Sequence, residues 1–430
     1  MESINTANGA YRILFDESGV LAPEATQLIQ QAAAYGADLI YADEAYADGE
    51  GGYVPVRKPD YAPDTLLSYN CIGMPLALPE SVVHALGGIV AQADEALYRF
   101  TLDVCKRASF VHHIPKVLFF SDKQPAPLPD DRTLRSALER ASGTGMALPG
   151  LYPGSFYVRY GLSGAPRISV VLICGEQPDA LRRTLESIVN DSTLAGCEFA
   201  IAFGGLPDGR TKTYLDALTR TKAARIVYTQ ESGNRAALYN LGARAAHGDI
   251  FVFLDAGITL GAHDALERLV THAARRGVGA CGGRIVTAGG RLAHTGLVFG
   301  IGTEPVSLFY GTRDEQSAGI KNQTVYTLRN VSGVSGALAI SSAVFHAARG
   351  FDETFPVAGA EAELCLRLMR AGLYNVYDPQ AHFVLPALPQ KPSVPKANGQ
   401  RLNDVFRVFT IEGDAMTGRG AWLREKESGK

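Results

Sequence analysis

The chain has 430 residues, 46% hydrophobic and 20% charged, which is ordinary globular composition and enough for two or three domains with cores of their own. A net charge of -3 excludes any general electrostatic pull toward nucleic acid or acidic membrane, while leaving peripheral membrane contact open. Six cysteines (Cys71, Cys105, Cys174, Cys197, Cys281 and Cys365) stand singly, so neither a zinc ribbon nor a redox pair is indicated, and they read as small buried hydrophobes of a reducing compartment.

The N-terminal MESINTANGAYRI is polar and lacks the apolar core of a signal peptide, and no apolar run reaches the ~20 residues of a membrane span. The expectation is a soluble, cytoplasmic protein. GADLIYADEAYADGEGG carries five acidic residues and reads as a surface loop, without the ligand spacing of an EF-hand. VRKPDY reads as a solvated loop, with an acceptor groove as the alternative. His112 and His113 precede a strand signal and have no acidic neighbours at metal spacing, so they read as structural. Ser121 to Pro166 is rich in Pro and Gly with one helical patch, DRTLRSALERAS, and reads as a linker with local structure.

From Arg167 to Leu388 strand and helix signals alternate. RISVVLIC is a continuous apolar run, as expected of a parallel strand covered on both faces. DALRRTLESIVN places Leu181, Leu185, Ile188 and Val189 on one helical face. CEFAIAF and ARIVYT follow as strands, NRAALYNLGARAAHG as a helix with a Gly stop, DIFVFLD as a buried strand, and HDALERLVTHAARRG as an amphipathic helix. The order predicts an α/β domain with a doubly wound, mostly parallel sheet. After Leu388, PQKPSVPKANGQ is Pro-rich and extended, and the tail holds one strand signal, DVFRVFTI.

The sequence also repeats. YRILFDESGVLAPEATQLIQQAAAYGADLIYAD parallels DIFVFLDAGITLGAHDALERLVTHAARRGVGACGG, NCIGMPLALPESVVHALGG parallels NVSGVSGALAISSAVFHAARG, and ADEALYRFTLDVCKRASFVHHIPKVLFF parallels AEAELCLRLMRAGLYNVYDPQAHFVL. The first copy starts at its Asp-bearing strand near Tyr11 and lacks everything that corresponds to Ile168–Gly248. The division is therefore a half-domain over 1–123, a linker over 124–166, a full domain over 167–388 and a tail over 389–430. The half-domain leaves a sheet edge or apolar face that needs a cover, from the rest of the chain or from another subunit in a homo- or hetero-oligomer.

Five blocks in order carry a resemblance. They are RISVVL with its following helix, NRAALYNLGARAAHGD before FVFLDAG, RLAHTGLVFG, RNVSGVSGALAIS, and GFDETFPVAGAEAELCLRLMRAGL. Together they resemble the family 2 glycosyltransferases of the GT-A fold that build bacterial O-antigen and other surface polysaccharides. The first copy is similar to the later half of a second such domain.

The resemblance implies a nucleotide-sugar donor and a glycan acceptor. It also implies a divalent metal, Mg or Mn, held by an Asp-x-Asp motif against the leaving diphosphate, and a carboxylate base for the acceptor hydroxyl. Carried over residue by residue, Asp255 matches the first Asp of that motif, while Gly257 stands at the second and has no ligand atom. Glu361 and Glu363 fall at the base motif, with Glu361 at the more usual base position. His382 lies near the place of a late metal-ligand His, which is itself Leu385 or Pro386. Asn234 and Asn240 match polar positions beside the nucleotide, and Ser335 and Gly336 match the segment beside the sugar. His294 and Arg367 fall on the acceptor side. Phe203 stands where an Asp reads the base, and Ile173-Cys174 replaces Pro-Thr. Asp255 alternatively caps a turn, Glu361 and Glu363 alternatively serve a helix N-terminus, and His294 alternatively fixes a turn. This thinning of carboxylates keeps a rival open: a non-catalytic, transferase-like scaffold or regulator.

Overall fold

The computed structural model describes residues 2–88, 94–175, 178–194, 196–230, 232–299, 305–317, 320–355, 358–389 and 414. The strand signal DVFRVFTI and most of the Pro-rich segment lie outside them. The chain divides into two compact units, one built on Met1–Arg159 and the other on Tyr160–Ile411.

The first unit contains β1 (Glu2–Thr6), β2 (Gly9–Leu14), β3 (Gly19–Leu21), α1 (Ala25–Ala33), β4 (Leu39–Ala47), β5 (Tyr53–Val56), α2 (Pro63–Ser68), β6 (Leu76–Pro79), α3 (Glu80–Ala85), α4 (Asp94–Arg107) and β7 (Val111–Ser121). Its sheet runs β1-β2-β6-β4-β7-β3, with β5 beside β4. The stretch expected as a linker forms α5 (Arg132–Ser142) and the hairpin β8 (Met146–Pro149) with β9 (Phe156–Arg159). Asp131 caps α5 by accepting from the Leu134 amide at 2.8 Å, and Gly143 ends it at φ 84°. The helix packs on α4 and α2 through Leu134, Ala137 and Leu138, all fully buried, so this stretch belongs to the body of the first unit.

The second unit contains β10 (Ile168–Cys174), α6 (Pro178–Asp191), β11 (Glu198–Gly204), α7 (Gly209–Arg220), β12 (Arg225–Thr229), α8 (Arg235–Ala245), β13 (Ile250–Asp255), β14 (Thr259–Leu260), α9 (Ala265–Ala273) and β15 (Val278–Thr287). It continues with β16 (Leu292–His294), β17 (Leu297–Val298), β18 (Val306–Ser307), α10 (Ile320–Val325), β19 (Arg329–Val331), β20 (Ala337–Ser341), α11 (Ser342–Ala347), α12 (Ala360–Arg370) and β21 (Tyr374–Leu385). The main sheet runs β12-β11-β10-β13-β20-β15-β21-β14. The strands β12, β11, β10 and β13 are parallel, and β20 enters antiparallel. This is the expected α/β architecture. One expectation about α6 fails: Leu181, Leu185 and Ile188 are buried, but Val189 is 68% exposed because eight residues after Leu181 the helix has turned it past the apolar stripe.

The two sheets share a plan. Strands β2-β6-β4-β7-β3 of the first unit repeat the order and sense of β13-β20-β15-β21-β14 of the second. In each, the first two junctions are antiparallel, the third is parallel and the fourth antiparallel. Each parallel junction also carries a register shift, near Asp43 in one and Arg284 in the other. Where β10 flanks β13 in the second unit, the first unit has β1, folded back antiparallel on β2. A five-residue hairpin strand thus stands at the sheet edge where the second unit has β10.

Two readings of the first unit are corrected. GADLIYADEAYADGEGG is a surface loop only at its exposed end, 48–51: its first part is β4, a central strand, and Asp43 and Glu44 are buried. VRKPDY is solvated only in part, at Val56 and Asp60, while its charged centre is tied down. Arg57 pairs with Asp43 at 3.1 Å and the buried Lys58 with Glu44 at 3.4 Å. His113 bridges Asp43 at 3.1 Å and Asp60 at 2.9 Å, so it has the acidic neighbours that its sequence surroundings lack. Asp43, Glu44 and Lys58 thus each have an opposite partner, the condition under which a charged strand centre is tolerated.

Candidate functional site

The site grows from the carboxyl edge of the parallel strands, where open α/β sheets bind ligands. Strand β13 is apolar from Ile250 to Leu254 and fully buried, then ends in Asp255, which pairs in register with Ile173 of β10. Below it, Phe253 packs against Phe345 and Phe351 at ring distances of 5.1 and 4.9 Å, and Tyr239 of α8 packs edge-on to Phe253 at 5.1 Å. The ring of Tyr239 is thus locked in the core while its hydroxyl emerges to donate to Asp255 Oδ1 at 2.8 Å. Burial above all holds the Tyr239 phenol well above its usual range, so it remains a donor.

Arg235 opens α8, one turn before Tyr239. Its guanidinium donates to Asp255 Oδ1, to Glu361 Oε1 at 2.9 Å and to the Tyr239 hydroxyl at 3.2 Å. Burial opposes its charge, but Asp255, Tyr239 and Glu361 outweigh burial and keep it cationic. Glu361 lies in the first turn of α12 with its side chain 9% exposed. One guanidinium therefore joins the strand-end carboxylate to the helix-start carboxylate.

The other expected site residues take distinct places. Asn234 caps α8, accepting from the Ala237 amide at 3.0 Å and donating to the Glu353 carbonyl at 3.0 Å. Asn240 donates to the Phe351 carbonyl and Glu353 Oε1, both at 2.9 Å, and accepts from the Phe351 amide at 2.9 Å. Both asparagines thus tie α8 to the segment around 351–353. Glu363 faces Arg367, which grips both of its oxygens at 2.7–2.9 Å. Arg367 also donates to the carbonyls of Ala348 and Gly350. The second carboxylate of the pair thus holds a clamp on the turn after α11, away from the Arg235 cluster.

His294 is buried. Its Nε2 accepts from the amides of Gly296 at 3.3 Å and Ser335 at 3.4 Å. Burial, then Arg329, pushes its pKa down to about 3, which fixes the ring as a neutral acceptor. This contact ties the turn after β16 to Ser335 and Gly336, the latter at φ 81° with Ile285 packed where a side chain would stand. Phe203 is fully buried, and its ring lies 6.2 Å from that of Tyr228, so its position serves the core.

A divalent metal held in the Asp-x-Asp manner does not fit the residues present. The inner oxygen of Asp255 already accepts two donors. Gly257 brings no ligand and sits at φ 104°. His382 lies on β21 among other groups, with burial and then Arg284 lowering its pKa, and Gly261 against its ring. No group of three His, Cys, Asp or Glu side chains able to hold a metal ion forms among the described residues. The residue that sequence reading missed is Arg235. A basic residue at the start of a helix runs against the usual charge preference, but nothing local names its partners, which lie 20 and 126 residues away.

Comparison with known proteins adds a family match over part of the chain. Residues 169–323 match the model of Glycosyl transferase family 2. The uncharacterised protein y4gI of Sinorhizobium fredii is 27% identical over 406 residues, which are 88% of this chain and 44% of that protein. The O-antigen biosynthesis protein RfbC of Myxococcus xanthus is 25% identical over 359 residues, 80% of this chain and 28% of that one. The chain thus spans less than half the length of these curated relatives. Among solved structures, GalNAc-T7 with UDP, GalNAc and Mn2+ is 15% identical with a TM-score of 0.45, covering 63% of this chain and 56% of that one. The mannosyltransferase PcManGT from Pyrobaculum calidifontis, in complex with GDP-Man and Mn2+, is 15% identical with a TM-score of 0.40, covering 62% and 77%. No described helix is long and apolar enough to cross a membrane.

Proposed function

We propose that this chain, which carries a family 2 glycosyltransferase domain over residues 169–323, transfers a sugar from a nucleotide-sugar donor to a hydroxyl of a glycan in surface-polysaccharide assembly. The observation that carries the reading is the meeting of Asp255 and Glu361 on one guanidinium at the carboxyl edge of the sheet. Such a site offers a cation for the leaving diphosphate and a carboxylate for the acceptor proton within one cluster. Glu361 is the base of this scheme, and Asp255 orients Arg235 on the donor side. Asn234, Asn240 and the Glu363–Arg367 clamp hold α8 and α12 in place, and His294 fixes the Ser335–Gly336 segment beside the sugar. The O-antigen relative supports a bacterial surface glycan as the acceptor class.

The test is release of nucleoside diphosphate from a panel of nucleotide sugars, with and without oligosaccharide acceptors. Acceptor-stimulated release from one donor is expected. A chain that binds no nucleoside diphosphate and releases none leaves the second reading, a non-catalytic scaffold. That reading is favoured by one observation, the charge of Asp255 already being taken by Arg235 where Gly257 supplies no second carboxylate.

A further inference from the structure

We propose that Arg235 is the resident cation of the donor site, so that a nucleoside diphosphate is bound without a divalent metal, and that the diphosphate draws the guanidinium from Glu361 and thereby frees that carboxylate. The proposal rests on the donor-site reading above and deepens it.

Four observations carry it. Arg235 is the first residue of α8, behind the Asn234 cap, so its charge and the partial positive charge of the helix start act at one place. Its guanidinium already holds two carboxylates, the shape and charge that a phosphate also presents to a planar fork of donors. Asp255 anchors Nη1 of that fork from a strand end, and the hydroxyl of Tyr239, on a ring locked in the core, meets Nη2, so the cation is held where a metal would otherwise have to be gathered. The metal alternative is poorly served: Oδ1 of Asp255 is already held by Arg235 and Tyr239, so an ion is left the Oδ2 side of a single carboxylate, and Gly257 adds no side-chain oxygen.

The charges explain the exchange. Arg235, Asp255 and Glu361 together carry one net negative charge. Glu361 is held to the cluster through Arg235 Nη2 at 2.9 Å, while Asp255 is held by two donors. An arriving diphosphate therefore competes for the Glu361 side of the fork. Once Arg235 turns to the phosphate, Glu361 loses its ion-pair partner and its Oε1 is open to the acceptor hydroxyl. No bond is made or broken in this step; one ion pair replaces another.

The experiment is calorimetric titration of the full chain with UDP, GDP and dTDP, each in EDTA and in Mn2+. At least one nucleotide is expected to bind in EDTA with a Kd within about twofold of its value in Mn2+. Arg235→Ala is expected to weaken that binding by at least about tenfold, and Arg235→Lys by less. Binding that requires Mn2+, or an Arg235→Ala variant that binds like the wild type, overturns the inference while leaving the donor site standing. Absence of binding by the wild type in both buffers removes the donor site itself and the inference with it. If Arg235→Ala does not fold, Arg235→Lys and the comparison of the two buffers still decide.

Discussion

Arg235 Nη2 lies 2.9 Å from Glu361 Oε1, across 126 residues of chain. The pair joins the start of α8 to the start of α12, and it separates the two carboxylates of the α12 first turn by role. Glu361 faces the cluster at the strand ends, and Glu363 faces Arg367.

Opposite outcomes are expected for the two carboxamide variants. Glu361→Gln removes the proton acceptor, and the turnover of the preferred donor should fall by about 10²- to 10⁴-fold, while nucleotide affinity rises because Arg235 loses a competing carboxylate. Glu363→Gln weakens the hold on Arg367, a partly buried charge-assisted pair, and should cost about 1–3 kcal/mol of stability with turnover changed little. Donor turnover beside a urea melt reads both. Equal losses of turnover in the two variants would show that the roles are not divided in this way.

Asn240 is buried and makes three hydrogen bonds to Phe351 and Glu353. Asn240→Asp keeps its shape but replaces the donating amide by a carboxylate that faces Glu353 and the Phe351 carbonyl. The segment should detach from α8, with a loss of about 2 kcal/mol or more and faster amide exchange at Phe351. Protection at Phe351 equal to wild type would remove the role given to this residue.

Two histidines should make the two units respond to pH in opposite directions. His294 has its folded pKa pushed down to about 3, below the ordinary 6.5. Between those values the unfolded chain binds the extra proton, so stability falls as pH drops through this window, by up to about 1.4 kcal/mol per unit. His113 is the reverse. Burial alone would lower its pKa, but hydrogen bonds to Asp43 and Asp60 raise it overall. Its contribution is complete below pH 6.5 and is lost as pH rises through the folded value. Hydrogen exchange followed peptide by peptide between pH 5 and 8 should show acid loosening the segment around β16 and alkali loosening the start of β7. His294→Gln and His113→Gln should each flatten their own trend. Trends that persist in these variants would assign the effects to other groups.

The scaffold was legible because buried parallel strands write themselves as unbroken apolar runs, as in Ile168–Cys174 and Ile250–Asp255. The repeat was legible because the same spacing of strands and helices recurs, and the matching junctions of the two sheets follow from it. The charge networks were not. Asp43 and Glu44 look like a solvated acidic run until Arg57, 14 residues on, and His113, 70 residues on, are folded beside them. Arg235 was hidden for the same reason. Its partners are 20 and 126 residues away, and no local pattern marks a guanidinium that a strand end and a distant helix start will share. Asn234 and Asn240 were seen as polar positions, but the partners that explain them, at 351–353, lie over 100 residues on.

Restoring the missing acidic position tests the metal-free reading from the other side. Gly257 adopts φ 104°, a conformation that side chains rarely take, and its amide donates to Thr184 Oγ1 at 2.8 Å. A Cβ at this position meets nothing closer than Ala180 at 3.9 Å, so the obstacle is the backbone and not space. Gly257→Asp should therefore cost about 1–3 kcal/mol in a thermal or urea melt as the turn strains. It should also leave nucleotide binding insensitive to Mn2+, because Arg235 still occupies Asp255. In the double variant Gly257→Asp with Arg235→Ala, both carboxylates lose that competitor, and saturating Mn2+ should then stabilise the chain by about 1–3 kcal/mol of linkage, seen as a higher melting temperature. A single Gly257→Asp variant that gains Mn2+-dependent nucleotide binding would mean that the ion displaces Arg235 with ease and that the guanidinium does not hold the site.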